Sequence, residues 1–342
     1  ETCRRMRMNF NQINKVMNAL NLGEVIGEPV EVKGGLLHKM FRVCTLSGSY
    51  AVKVLNSEIM KRPTALKNTI NSEKIAALFA NSIPVVAALT VDGKQIHEKD
   101  GCYYMVFNWI DGKSIFAPDI YEMHCANIGD ILGKMHSLNI IVNGVVPEEA
   151  ETSLYEWEKY LQLAKGQGIT DKTWMEQYEK SLNDIIEWNK QVCEAQEVLV
   201  QNQVISHRDL DPKNVMWNND DPFLIDWEAA GYVNPYQELL EVINYWADDG
   251  KGNLDKSYFD AIVKAYGKHM NLADVEWDEV LSGSYMGMLG WLEYNVKRSV
   301  GIEVSGDEDT KDAEQQVIGT IKELYCYQKK AKLLKEWLEH DR

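Results

Sequence analysis

His207-Arg208-Asp209-Leu210-Asp211-Pro212-Lys213-Asn214, followed by Phe223-Leu224-Ile225-Asp226-Trp227, is the stretch on which the reading of this chain turns. It offers an aspartate, an asparagine five residues on, and a second aspartate behind a short apolar strand. That set suits phosphoryl transfer. Mg²⁺ prefers a few oxygen ligands shared with phosphate and water. Asn214 and Asp226 can supply such ligands, while Asp209 can accept a hydrogen bond from an attacking hydroxyl and orient it. One aspartate alone reads equally well as a solvated loop; three polar residues at matching spacing, each behind an apolar run, do not.

Working outward, Tyr50-Ala51-Val52-Lys53-Val54-Leu55 alternates as a strand does, with Ala51, Lys53 and Leu55 on one face and Tyr50, Val52 and Val54 on the other. A small alanine beside a lysine suits a pocket in which a flat base lies over Ala51 while Lys53 reaches the phosphates. Strands are expected at Val25–Val32, Lys39–Leu46, Val85–Val91, Lys94–Glu98 and Cys102–Asn108, separated by turn residues. A helix is expected over Thr64–Ala80, with Leu66, Ile70, Ala77 and Leu78 on its apolar side. Gly34-Gly35 lies between the first two strands, where glycines either let backbone N–H groups approach a phosphate or simply turn a hairpin. From Asp111-Gly112 onward helices dominate. Ile128, Ile131, Leu132, Met135 and Leu138 paint one helical face.

These motifs resemble the kinase superfamily, and within it the aminoglycoside phosphotransferase and choline kinase group, whose catalytic loop reads H-x-D-x-x-x-x-N and whose metal site reads I-D-W or I-D-F. The resemblance covers roughly residues 25 to 240. It implies a protein-kinase-like bilobal α+β fold, with an N-terminal antiparallel sheet plus one helix and a larger, mainly helical C-terminal lobe. The expected division is a nucleotide-binding lobe at 1–107, a hinge at 108–112, and a catalytic and substrate-binding lobe at 113–342. By resemblance Lys53 pairs with a glutamate of the following helix, for which Glu73 is the candidate. Asn108 and Ile110 of the hinge then meet the base, and Gly34 and Gly35 cover the phosphates. ATP or GTP with Mg²⁺ is the implied cofactor set, with Asp209 catalytic and Asn214 and Asp226 on the metal. Trp227-Glu228 replaces the Phe-Gly of protein kinases, and no A-P-E stretch follows, which points to a small-molecule kinase. Leu132-Gly133-Lys134-Met135-His136 looks like the family's L-G-x-L-H helix, and Glu238-Leu239-Leu240 stands where the family usually has D-L-A.

The 342 residues carry 36 Lys and Arg against 52 Asp and Glu, a net charge of −16. Such a balance opposes nucleic-acid or anionic-membrane binding and suits a cationic or metal-chelated partner. Between 209 and 250 ten acids face one base, Lys213, so the expected hydroxyl acceptor is small and amine-bearing. Asp211 and Glu228 are candidates to face it, as are Trp246, Trp291 and Glu293 if the C-terminal aromatics cage a cation rather than fill a core. Choline, ethanolamine, homoserine or a thiosugar stay open as acceptors beside aminoglycosides, as does a catalytically silent nucleotide-binding scaffold. The six cysteines are scattered without a metal-ligand or disulfide spacing. Apolar runs fall far short of a bilayer span, and Arg4, Arg5 and Arg7 are not followed by the apolar stretch of a secretory signal. A cytoplasmic protein is expected.

Overall fold

The computed structural model describes residues 10–32, 38–99, 101–169, 172–302 and 307–340. They fall into two compact units, and the chain passes through the first of them three times: Glu1–Ile120, Ile140–Val145 and His207–Gly231. The remainder, Tyr121–Asn139, Val146–Ser206 and Tyr232–Arg342, makes the second.

The first unit contains helix α1 (Phe10–Ala19), strands β1 (Val30–Val32), β2 (Lys39–Thr45) and β3 (Gly48–Val54), helices α2 (Ser57–Met60) and α3 (Ala65–Phe79), then β4 (His97–Lys99) and β5 (Cys102–Asn108). The five strands form one antiparallel sheet in the order β1-β2-β3-β5-β4. Alternation along β3 sorts its side chains as expected. Tyr50 and Val52 enter a core with Phe41, Val43, Tyr104 and Val106, whereas Leu55 packs on Ala88 and Met105. Helix α1, which no sequence expectation included, closes that first core with Ile13, Val16 and Met17, joined by Leu20 just beyond its end, one stripe at helical spacing.

Three expectations need correction here. Val25–Val32 is not one strand, because Gly27 takes a left-handed φ of 72° and breaks the extended run; Val25 makes only a single bridge to Thr45. Val85–Val91 forms no continuous strand either. Its N–H groups go to separate partners: Val86 to Leu224 O, Ala88 to the Glu73 carboxylate and Leu89 to Val106 O. Helix α3 has nearly the expected bounds but the other face inward. Ser72, Glu73, Ile75, Ala76 and Phe79 are buried, and Ile70 and Leu78 are exposed. Phe79 sets that orientation by packing on Trp227 with ring centroids 5.6 Å apart.

Strand β6 (Val204–Ser206) belongs to the second unit, after which the chain returns to the first through a 3₁₀ turn at Pro212–Asn214 and the hairpin β7 (Val215–Asn218) and β8 (Asp221–Leu224). A second 3₁₀ turn, Trp227–Ala229, follows. Gly112 approaches this hairpin so closely that a Cβ there would lie 2.6 Å from Trp217 O, and Lys113 and Trp217 exchange backbone hydrogen bonds.

In the second unit α4 (Glu122–Ser137), α5 (Trp157–Gly166), α6 (Thr173–Leu199), α7 (Pro235–Trp246), α8 (Lys256–Tyr266), α9 (Trp277–Gly283), α10 (Met286–Ser299) and α11 (Asp307–His340) make the helical mass. Trp157, Trp174, Tyr178 and Trp188 from α5 and α6 form its main core with Leu289, Leu292 and Leu324. Asn234-Pro235 starts α7 because the Asn234 side chain accepts from the Tyr236 and Gln237 N–H groups while proline needs no partner there. The buried His136 ring of α4 lies 2.8 Å from Glu238 Oε2, 3.1 Å from Ser206 Oγ and, through Nδ1, 2.9 Å from Tyr266 Oη. Glu238 therefore ties α7 to α4 despite standing where the family usually has aspartate, and burial raises the Tyr266 phenol well above its ordinary pKa.

Candidate active site

The first unit assembles the polar residues. Pairing of Val215 with Leu224 places Asn214 and Ile225 at the same end of the β7–β8 hairpin, and Ile225 N–H donates to Asn214 O at 2.9 Å. Asp226 is the next residue. The His207–Asn214 loop joins this end through the buried His207 ring, whose Nε2 lies 3.0 Å from Ile225 O and whose Nδ1 accepts the Asp209 N–H at 3.3 Å. Trp227 packs against that ring at a tilt of 58°, with centroids 4.6 Å apart, and is itself buried. The backbone turns sharply at both sites: Arg208 and Asp226 adopt φ of 66° and 60°. Such left-handed conformations cost about 1 kcal/mol or more in a non-glycine residue and collect at functional sites.

Asp209 is held on several sides. Asn214 Nδ2 donates to its Oδ2 at 2.9 Å and its backbone O at 2.8 Å, and Lys213 Nζ lies 3.3 Å from Oδ1. Both amide hydrogens of the buried Asn214 are thereby taken up, and its carbonyl Oδ1 is the side-chain atom that could accept from or ligate another group. Asp211 is turned to its own loop. Its side chain accepts the Lys213 N–H at 2.7 Å and caps the 3₁₀ turn that presents Asn214.

Lys53, on the expected face of β3, reaches across to this group. Its buried Nζ lies 3.0 Å from Asp226 Oδ1 and also pairs with Glu228 Oε1. Burial favours the neutral amine, but the charges and hydrogen bonds of Asp226 and Glu228 outweigh it and raise the Lys53 pKa. The expected Lys53–Glu73 pair is not formed. Glu73 is buried mid-helix in α3, accepts the Ala88 N–H at 3.0 Å, and is pushed up to about 7, chiefly by desolvation. Glu228, read from sequence as a substrate contact, lies on the lysine instead. Burial opposes its charge, yet the His38 hydrogen bond and Lys53 hold its carboxyl down at about 2. His38 itself is largely enclosed.

Asn108 ends β5 opposite Tyr50, and the next N–H, of Trp109, donates to Ser49 O at 3.0 Å. Asn108 is exposed, and Ile110 and Ala51 are half-buried. Gly34 and Gly35 lie outside the described residues. In the second unit Trp246 is fully buried and serves as core, which removes it from any ligand surface. Trp291 and Tyr294 of α10 are exposed, with the Arg298 guanidinium already over the Tyr294 ring at 5.4 Å. Glu293 is engaged by the Tyr160 hydroxyl at 2.5 Å and by Lys297 at 2.6 Å.

The model of the phosphotransferase enzyme family matches residues 29–272. No curated protein is similar to the chain at the level of sequence. Among solved structures, a spectinomycin phosphotransferase in complex with ADP and spectinomycin is 11% identical with a TM-score of 0.67, covering 94% of this chain and 99% of that one. An aminoglycoside phosphotransferase from Alicyclobacillus acidocaldarius is 14% identical with a TM-score of 0.60, covering 92% and 93%. A choline kinase from Cryptosporidium parvum is 14% identical with a TM-score of 0.58, covering 96% and 99%. At such identities the likeness speaks for the fold alone, and that fold is the kinase-like α+β architecture expected from the motifs. Among the described residues no helix is long and apolar enough to cross a membrane.

Proposed function

The chain belongs to the phosphotransferase enzyme family, and from that premise we propose that it moves the γ-phosphoryl group of ATP to a hydroxyl of a small, amine-bearing molecule. One observation carries this reading. Lys53 and Asp226 meet at 3.0 Å, while Asp209 and Asn214 lock onto each other at the same end of the hairpin, all within one compact unit. In the proposed reaction the acceptor oxygen forms a bond to the γ-phosphorus, the bond to the β–γ bridging oxygen breaks, and ADP leaves. The Asp209 carboxylate orients the hydroxyl and takes its proton. Lys53 engages the nucleotide phosphates.

The oxygen donors fit Mg²⁺: Asn214 Oδ1 and the Asp226 oxygen not shared with Lys53 would hold it, alongside phosphate oxygens. Bound there, the ion would offset negative charge on the transferring group. Asn108 and Ile110 are proposed to meet the base and Ala51 to lie under it, which fits either ATP or GTP. The division into lobes at 1–107 and 113–342 around a hinge belongs to the same proposal. The preference for an amine rests on the excess of acids between 209 and 250. It does not rest on the α10 rings, because Arg298 already occupies Tyr294.

The test is an acceptor panel of aminoglycosides, spectinomycin, choline, ethanolamine, homoserine and a thiosugar, followed by nucleotide consumption and product mass. Wild type transfers phosphate to at least one acceptor in a Mg²⁺-dependent manner. Asp209→Asn lowers kcat by about 10²- to 10⁴-fold, the usual weight of a positioned general base, and leaves nucleotide affinity nearly unchanged. An undiminished rate in this variant removes Asp209 from the reaction.

A further inference from the structure

Lys53 has a carboxylate partner other than the expected one, and the structure shows what aims it. Glu228 sits in the 3₁₀ turn after Asp226, anchored by the buried Trp227, but its side chain is placed by His38. The His38 ring, at the start of β2, is 9% exposed. Its Nδ1 accepts the Asn56 N–H at 2.9 Å, so the ring proton stands on Nε2, and Nε2 faces Glu228 Oε1 at 3.2 Å. Asn56 is fixed in turn, since its side chain caps α2 by accepting the Glu58 N–H at 3.0 Å. The same Oε1 receives Lys53 Nζ. Two donors, one just before β2 and one in β3, thus converge on one carboxylate oxygen.

We propose that His38 is a positioning residue for Lys53: by donating from Nε2 to Glu228 it holds Oε1 against Nζ, so that Glu228, not Glu73, orients the ammonium toward the nucleotide phosphates. This rests on the phosphotransferase reading, in which Lys53 meets nucleotide. Asp226 also pairs with Lys53, but in that reading its carboxylate is shared with Mg²⁺, which makes Glu228 the dedicated anchor. A lysine on a flexible four-carbon stem needs such an anchor, because an unrestrained ammonium loses rotamer entropy when phosphate binds. Glu73 does not supply it, because its oxygen is turned to the Ala88 N–H.

The experiment is a double-mutant cycle on the full chain, reading the affinity of a non-hydrolysable ATP analogue with Mg²⁺ by titration calorimetry. His38→Ala weakens binding about tenfold, the scale of one hydrogen bond to a charged group. His38→Gln, whose amide can still donate to Oε1, stays within about threefold of wild type. In a Glu228→Ala background, removing His38 changes affinity by less than about twofold, because the two act as one unit. In steady state His38→Ala raises the KM for ATP more than it lowers kcat. Wild-type affinity in His38→Ala overturns the proposal. So does an equal loss with and without Glu228, which would mean that His38 touches nucleotide directly or only supports the fold. If wild type binds the analogue but phosphorylates no acceptor, the phosphotransfer reading fails while the cycle still decides the role of His38. A chain that binds no nucleotide overturns both.

Discussion

Glu73 is a buried carboxyl with a single backbone donor, and its titration is worth following through. Its pKa stands at about 7, against 4.5 for an unhindered glutamate, because desolvation exceeds the help it gets from the Ala88 N–H and the Lys53 charge. Below pH 4.5 the group is protonated in folded and unfolded chains alike, and its contribution is fully present. Between 4.5 and 7 the unfolded chain ionises first, so stability falls as pH rises, by on the order of 3 kcal/mol in total. Glu228 has the opposite sign and a lower window. Held down at about 2, it stabilises above 4.5 and loses that contribution as pH falls toward 2. Glu73→Gln keeps an acceptor for Ala88 and removes the titration. Urea unfolding from pH 4.5 to 8 is expected to show this variant gaining on wild type as pH rises; parallel curves would mean that Glu73 does not ionise in that window. The placement of Lys53, Asp209, Asn214 and Asp226 was legible in the sequence because local spacing and strand alternation fix where each side chain starts. The partner of Lys53 was not, because Glu73 and Glu228 are both within reach along the chain's fold, and the choice is made by where Ala88 and His38 present their N–H groups.

Helix α4 shows how packing at the level of an element constrains sequence. A Cβ at Gly129 would lie 2.4 Å from Ile262 O of α8, and one at Gly133 2.9 Å from Tyr266 O. These small residues let the two backbones approach closely enough for the Tyr266 hydroxyl to reach His136 at 2.9 Å. Gly129→Ala gains about 1 kcal/mol of helix propensity but forces backbone apart, and overpacking of that kind costs about 1–3 kcal/mol or more. A net loss of up to about 2 kcal/mol is expected from those terms. Gly319→Ala in α11, where no atom lies within 4 Å of the added Cβ, is the contrasting case. It is expected to gain up to about 1 kcal/mol. Urea midpoints of the two variants should move in opposite directions, and a stabilised Gly129→Ala would contradict the close approach. Elements differ in how far sequence discloses them. The strand at Cys102–Asn108 could be read directly because turn residues bound an apolar run. In α3 the bounds were readable but the buried face was not, since the helix turns Glu73 and Phe79 inward to meet Ala88 and Trp227 while leaving the more apolar Ile70 and Leu78 outside. The stripe of Ile13, Val16, Met17 and Leu20 that α1 and the residue after it bury was present in the sequence, at i, i+3, i+4 and i+7.

At the scale of the whole molecule, the compact units do not follow chain order. The segment His207–Gly231 enters the same unit as the sheet, although residues 109–206, which hold α4, α5 and α6, separate it from β5. Such a return is invisible to a reading made window by window, because the hydrogen bonds that anchor it, from Val86 to Leu224 and from Leu224 to Pro84, join positions far apart in sequence. It has a consequence for ligand-linked stability. Lys53, Asp209, Asn214, Asp226, Glu228 and His38 all belong to the first unit, so a nucleotide held by them stabilises that unit directly. Mass action sets the size: ligand at about 100 times its Kd adds about 2.7 kcal/mol to whatever opening exposes the site. Amide hydrogen exchange with and without Mg²⁺ and a non-hydrolysable ATP analogue resolves where that stabilisation appears. Slowed exchange is expected in β2, β3 and residues 207–231. Within α6 and α11, whose packing in the Trp157–Trp188 core makes no use of the site residues, exchange should stay within about twofold of the free chain, because their opening need not release the ligand. Protection confined to the helical unit would place the nucleotide elsewhere and separate Lys53 from its phosphates.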